Sequence, residues 1–231
     1  MNDMVKRWEN MQKDKRCNLA QSAYKQIKEA IIYTQFKPRD SLSENMLASV
    51  LEMSRTPVRE ALKELANEDF VEILPGKGAF VKPISLKDLR EIYELRVLLE
   101  GEAARSAVAN ITDNEITELE RVWTSFLARA NNGEELSWET ISRHDNQLHN
   151  LIINKCDNNR LKAFMALLKE HNLRYQFLAA KALGYPKETI RQHLEIINLI
   201  KNKENERLPE VLKKHIEFSK DIIIEKGFFD Q

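Results

Sequence analysis

The sequence predicts a mostly α protein in two parts: three helices closed by a β-hairpin, then an all-helical bundle of six or seven helices. Three observations lead there. Apolar residues such as Tyr24, Ile27 and Ile31, then Leu62 and Leu65, then Leu89, Ile92 and Leu99, fall at steps that keep one helical face apolar. The stretch from Phe70 to Ile84 breaks that period, with β-branched and aromatic residues around the turn cluster Pro75-Gly76-Lys77-Gly78. At 231 residues, 42% apolar and 31% charged, with six Gly and six Pro, the chain suits two ordinary domains and excludes collagen-like, low-complexity and disordered classes.

Residues 1–17 read as an N-terminal arm ahead of a first helix from Leu19 to Thr34. Lys37-Pro38-Arg39-Asp40 then turns the chain, and Ser43 can cap a second helix through Ala48 and Val50. A third helix begins within Ser54-Arg55-Thr56-Pro57, where Pro57 suits the first turn and either Ser54 or Thr56 can accept from the free amides. The hairpin follows. Pro83 disfavours helix at Lys82, and Ser85 with Asp88 has a capping-box-like spacing, so the boundary falls here: domains 1–82 and 83–231. The second domain shows amphipathic helical segments, with another capping-box pair at Thr112 and Glu115, and no internal repeat.

Lys plus Arg (36) balances Asp plus Glu (36), so any nucleic-acid contact must be local. Cys17 and Cys156 lack disulfide or CxxC spacing, as expected in a reducing cytosol. No run approaches the ~20 apolar residues of a membrane span. Met1 to Arg16 lacks the apolar core of a secretion signal, so a cytoplasmic location without membrane contact is expected.

A local contact has a candidate. Arg55, Thr56 and Arg59 project from the start of the third helix while Val58, Leu62 and Leu65 pack inward. Arg is the best bidentate reader of guanine, and Ser54 and Thr56 suit phosphates. Lys77 sits at a Gly-flanked tip where backbone can approach a phosphate or a minor groove, so three helices and a basic-tipped hairpin make a winged helix-turn-helix. Against this, Glu60, Glu64 and Glu68 leave the helix neutral or acidic, the pattern of a solvated face.

The run Leu42-Ser43-Glu44, Leu47-Ala48, Ser54-Arg55-Thr56-Pro57-Val58-Arg59-Glu60-Ala61-Leu62, Leu65 and Pro75-Gly76-Lys77-Gly78 closely resembles GntR-type bacterial transcription regulators, over about Ala20 to Val81. The resemblance implies a homodimer reading a short palindromic operator in double-stranded DNA, usually as a repressor, with the positions of Arg55, Thr56, Arg59 and Gly76 touching DNA. The chain departs from the pattern at Arg39, where Gly is usual, at Asp69-Phe70, which replaces a common Glu-Gly step, and at Lys77, where the wing often carries Arg. Asn45 stands where some relatives place a DNA-contacting Arg.

All five histidines lie in the second domain: His144, His149, His171, His193 and His215. His149 shares a helical face with Asp145 one turn earlier, and His193 and His215 each interrupt an apolar stripe on a further helix. One histidine on such a stripe is more often a satisfied core residue. Three of them with a carboxylate suit a divalent transition metal, zinc or nickel, held between facing helices. Asp145, His149, His193 and His215 also resemble the Asp, His, His, His set of the FCD ligand domain in the FadR branch of these regulators, from about Leu86 to Ile224. That resemblance implies a metal in an all-helical pocket that helps hold a small carboxylic acid effector.

Arg96 falls on a core-facing stripe and needs an anion, either a structural partner such as Glu100 or Glu120 or an effector carboxylate. Arg174, near His171 and on the stripe of Leu167 and Leu178, is a second effector-binding candidate. The reading is a transcription regulator whose operator affinity follows a small carboxylate bound at the metal site. The alternatives are a sensor in which the ion is the effector and, more distantly, a metal-dependent hydrolase; no separate general base accompanies the ligands, and an enzyme leaves the winged helix unexplained.

Overall fold

A computed structural model describes residues 18–183 and 187–226. It divides into two compact units, Met1–Pro83 and Ile84–Gln231. The expected arm, 1–17, lies outside the described residues.

In the first unit, α1 spans 18–32, α2 Glu44–Val50 and α3 Arg55–Asn67, followed by β1 Val71–Leu74 and β2 Gly78–Val81. Ser43 caps α2 by accepting from the Met46 amide, as its sequence position predicts. The two strands pair antiparallel, Val71 opposite Val81 and Leu74 opposite Gly78. Segment 39–42 lies along the far side of β2, with Arg39 N–H donating to Val81 O at 2.9 Å and Leu42 N–H to Ala79 O at 2.8 Å. Ile27, Ile31, Leu47, Val58, Leu65, Phe70 and Val81 are buried, so helices and hairpin share one core. The departures from the family pattern at Arg39 (φ 70) and Asp69 (φ 63) both fall in the left-handed region that favours glycine. The fold keeps these turns, at a cost of roughly 1–2 kcal/mol for each side chain.

Glu68, grouped by sequence with a solvated acidic face, has structural partners. Tyr24 Oη donates to it at 2.8 Å and Lys28 Nζ at 2.7 Å, tying α1 to the end of α3, while Lys28 also lies 5.0 Å from the Phe70 ring.

The second unit contains six helices among the described residues: α4 Leu86–Ala107, α5 Asp113–Asn131, α6 Trp138–Lys155, α7 Asn159–Leu183, α8 Lys187–Lys201 and α9 Leu208–Glu225. Hydroxyls cap the starts of α4, α5 and α6: Ser85 accepts from the Asp88 amide, Ser137 from the Thr140 amide, and Thr112 and Glu115 form a complete capping box. Helix α4 packs on α9 and α6, α5 on α8, and α6 on α7. Trp123, Leu148, Ile152, Ile190, Ile196, Leu208 and Leu212 fill the main core, and Leu89, Tyr93, Tyr175 and Ile216 a second cluster. No described helix is long and apolar enough to cross a membrane.

Candidate metal centre and nucleic-acid interface

In the first unit, buried Pro57 and Val58 anchor the start of α3, leaving Ser54, Arg55, Thr56 and Arg59 exposed. Ser54 occupies the N-cap position but makes no side-chain capping bond, so the expected cap hydrogen bond is not formed. The first amides of α3 are among those a helix leaves without an internal partner. A groove of about 430 Å³ runs between α2, α3 and the hairpin, lined by Ser41, Ser43, Glu44, Arg59, Lys63, Lys77 and Gly78. Gly76 (φ 73) and Gly78 (φ 102) flank exposed Lys77 in backbone conformations side chains rarely adopt.

Arg59 does not simply project. Its Nε–H donates to Glu44 Oε1 at 2.8 Å and its Nη2–H to Oε2 at 2.7 Å, a two-pronged pair. These bonds hold the Glu44 carboxyl below its ordinary pKa. Sequence reading singled out neither Glu44 nor Lys63 as a site residue. Lys63 stands one helical turn beyond Arg59, a readable signal; the pairing of Glu44 across two helices has no local signature.

In the second unit, α6 supplies Asp145 and His149, α8 supplies His193 and α9 supplies His215. One candidate ligand atom from each lies within 4.8 Å of all the others. Burial is nearly complete, 8% exposure for Asp145 and 2% or less for the three rings. Each imidazole has its Nδ1 engaged away from the cluster. His193 Nδ1–H donates to Thr189 O at 2.7 Å, His215 Nδ1–H to Gln192 Oε1 at 2.8 Å, and His149 Nδ1–H to Glu100 Oε2. Carbonyl and carboxylate oxygens only accept, so each Nδ1 carries a proton and each Nε2 is the nitrogen that faces inward. Trp123 stacks on His193 with centroids 3.8 Å apart and further fixes that ring.

Asp145 Oδ1 lies 2.7 Å from His193 Nε2, 3.5 Å from His215 Nε2 and 3.7 Å from His149 Nε2. The 2.7 Å contact is a hydrogen bond in which His193 Nε2 and Asp145 Oδ1 share a proton, and His149 Nε2 is a buried nitrogen with no hydrogen-bond partner. Ligands at ~2.0–2.1 Å from a tetrahedral ion stand about 3.3 Å apart, within the observed spread. Burial, followed by the neighbouring His193, pulls the His215 pKa down to about 3, leaving that ring neutral as a ligand must be. Burial would raise Asp145, but His149, His193 and His215 outweigh it and hold the carboxyl well below its usual range. These residues fit a divalent transition ion.

Glu100 bridges outward. Arg96 Nε–H donates to its Oε1 at 2.8 Å, and both side chains are 2% exposed. Burial opposes ionisation of Glu100, yet Arg96 and then His149 prevail and lower it to about 2. Glu100 is thus both the structural partner of Arg96 and the group that orients His149, an outer-shell role the sequence did not disclose. Arg96 Nη1 and Tyr93 Oη remain buried without hydrogen-bond partners. Arg174 is buried on α7, and burial lowers its pKa. His144 lies apart from the cluster, its Nδ1 against Thr140 O at 2.8 Å and its ring edge-on to Phe126. His171 is half-buried on α7.

Residues 19–81 match the gntR family of bacterial regulatory proteins, and residues 91–218 match the FCD domain. The chain is 30% identical over 192 residues to the Nta operon transcriptional regulator of Aminobacter aminovorans, covering 82% of this chain and 87% of that protein. It is 24% identical over 197 residues to the HTH-type transcriptional repressor RspR of Escherichia coli K12, covering 85% of each. Among solved structures, E. coli McbR/YncC superposes with a TM-score of 0.74 at 22% identity, over 90% of this chain and 97% of that one, which shows the shared fold. The chain therefore belongs to the GntR family and, by its FCD domain, to the FadR-type branch: it is a DNA-binding transcriptional regulator, not an enzyme.

Proposed function

We propose that this regulator is a cytoplasmic homodimeric repressor whose affinity for a palindromic operator is set through the buried site of Asp145, His149, His193 and His215. The observation that carries the reading is the set of three imidazoles with Nδ1 tied outward and Nε2 turned onto one carboxylate oxygen. These four residues would hold a zinc or nickel ion, which when bound supplies positive charge for an acidic ligand.

Arg96 Nη1–H and Tyr93 Oη–H are buried donors with no partner, and they suit the carboxylate of a small organic acid. Arg174 is a further candidate for the effector. Arg55 and Arg59 would meet base edges, with Ser54 and Thr56 on phosphates and Gly76 and Lys77 on phosphate or minor groove. Repression is the sign carried in the name of the relative RspR.

A second reading, in which the ion itself is the effector, has one observation in its favour. The cavity against Glu100, His149, Asn172 and Gln176 measures about 10 Å³, room for about one water. Of the four candidate ligands only His149 borders that space, so it is not where the ion would sit, and an organic acid placed there would require it to widen.

The test is elemental analysis of the purified protein, followed by thermal unfolding with small carboxylic acids and operator titrations with metal alone. One divalent ion per chain and a rise in midpoint with an acid support the first reading. Operator affinity that follows the metal and ignores every acid supports the second. A protein that binds no zinc or nickel at micromolar concentration overturns both.

A further inference from the structure

We propose that Glu44 is a positioning residue for base reading: it grips the Arg59 guanidinium from the side and leaves its end-on edge to meet guanine. The proposal rests on the reading of α3 as the recognition helix.

A guanidinium carries five N–H donors. Glu44 takes two of them, Nε–H at 2.8 Å and one Nη2–H at 2.7 Å, leaving three on Nη1 and Nη2. Two of them, one on each Nη, lie along the outer edge, the edge that matches the paired acceptors O6 and N7 of guanine; adenine puts a donor amine where O6 would be. Arg59 is 57% exposed in its side chain and Glu44 33%, so the pair adds little to folding, and its main consequence is geometric.

The groove also selects what Arg59 can touch. A phosphate drawn to Arg59 would bring its charge beside the Glu44 carboxylate, whereas a neutral base edge meets no such repulsion. Arg59, Lys63 and Lys77 keep the groove cationic with Glu44 in place. Glu44 is itself held: it opens α2, whose Ser43 cap and buried Leu47 and Ala48 fix the helix against the core. Without this grip Arg59 would sample rotamers, including ones that reach the backbone and read no sequence.

The experiment uses the full chain. Wild-type protein selects duplexes from a random-sequence pool, and the enriched duplex and its single-base-pair variants are then titrated by fluorescence anisotropy at several salt concentrations. Glu44→Gln, Glu44→Asp, Arg59→Lys, Arg55→Ala and the Glu44→Gln/Arg59→Lys double variant are compared, with thermal unfolding as a check on folding. A bidentate guanine contact discriminates by roughly 5- to 150-fold. Both Glu44 variants are expected to lose about 2- to 12-fold of that preference at one base pair, the cost of immobilising one side chain, with an unchanged salt slope. Arg59→Lys is expected to lose preference at the same base pair, and the double variant to add nothing. A Glu44 variant that weakens or strengthens all duplexes alike, or loses preference at a different base pair, overturns the proposal. If Arg59→Lys and Arg55→Ala both bind every duplex as wild type does, the recognition-helix reading itself fails; that pattern differs from a Glu44 variant failing alone.

Discussion

Glu100→Gln removes one charge and keeps the shape, and the cost can be worked out from the two donors that converge on the carboxylate, Arg96 Nε–H and His149 Nδ1–H. A carboxamide offers one acceptor oxygen and one donor nitrogen, so only one of the two keeps its bond. If the oxygen turns to Arg96, the amide donates to His149 Nδ1, the ring proton moves to Nε2, and a ligand lone pair is lost. If it turns to His149, Arg96 stays buried at 2% exposure without a charge partner. Breaking a buried ion pair costs about 3–5 kcal/mol. At about 2–4 °C per kcal/mol for a unit of this size, the unfolding midpoint should fall by roughly 6–20 °C. Loss of an outer-shell partner should also weaken zinc binding about 10- to 100-fold. Calorimetric unfolding of the stripped protein reads the first effect, and competition with a chromophoric chelator reads the second. Wild-type zinc affinity together with an unchanged midpoint would refute the described role of Glu100.

Other perturbations act elsewhere. Arg55→Ala and Arg59→Ala should each abolish sequence-specific duplex binding in mobility-shift assays while the helical unit unfolds at its normal midpoint; wild-type affinity should fall steeply between 50 and 200 mM salt, as several phosphate contacts require. Glu115 is held at about 2 by Lys155 and by the amide and hydroxyl of Thr112. A depressed carboxyl stabilises above its unfolded value near ~4.3 and loses that contribution as pH falls towards the folded value. Glu115→Gln should therefore cost about 1 kcal/mol at pH 7, allowing for a carboxylate one-third exposed, and the difference from wild type should shrink as unfolding is repeated from pH 5 down to pH 2. Gly101 lies within α4, and an added Cβ meets only Pro209 Cβ at 3.9 Å. Gly101→Ala should stabilise by about 0.5–1 kcal/mol in chemical denaturation.

Local chemistry was legible and long-range chemistry was not. Ser43, Ser85 and Thr112 mark their helix starts because a capping bond spans three residues, and the hairpin declares itself through Pro75 to Gly78. Asp145 and His149 are one helical turn apart, so their shared face is readable. That His193 and His215 join them depends on packing among α6, α8 and α9, which residue types suggest and periodicity cannot establish. Trp123 against His193, Glu100 on His149 and Glu44 on Arg59 escaped notice because each pairs residues from different helices. Ser54 looked like a capping residue by type, yet its hydroxyl makes no such bond.

The most direct test of coupling between the buried cluster and DNA is operator affinity measured on the same protein after metal stripping and after zinc reloading, beside His215→Ala. A coupling free energy of ordinary size corresponds to a change of about 5- to 150-fold for wild type, with no response in the variant. Equal affinity of stripped and reloaded wild-type protein would contradict control of operator binding through Asp145, His149, His193 and His215.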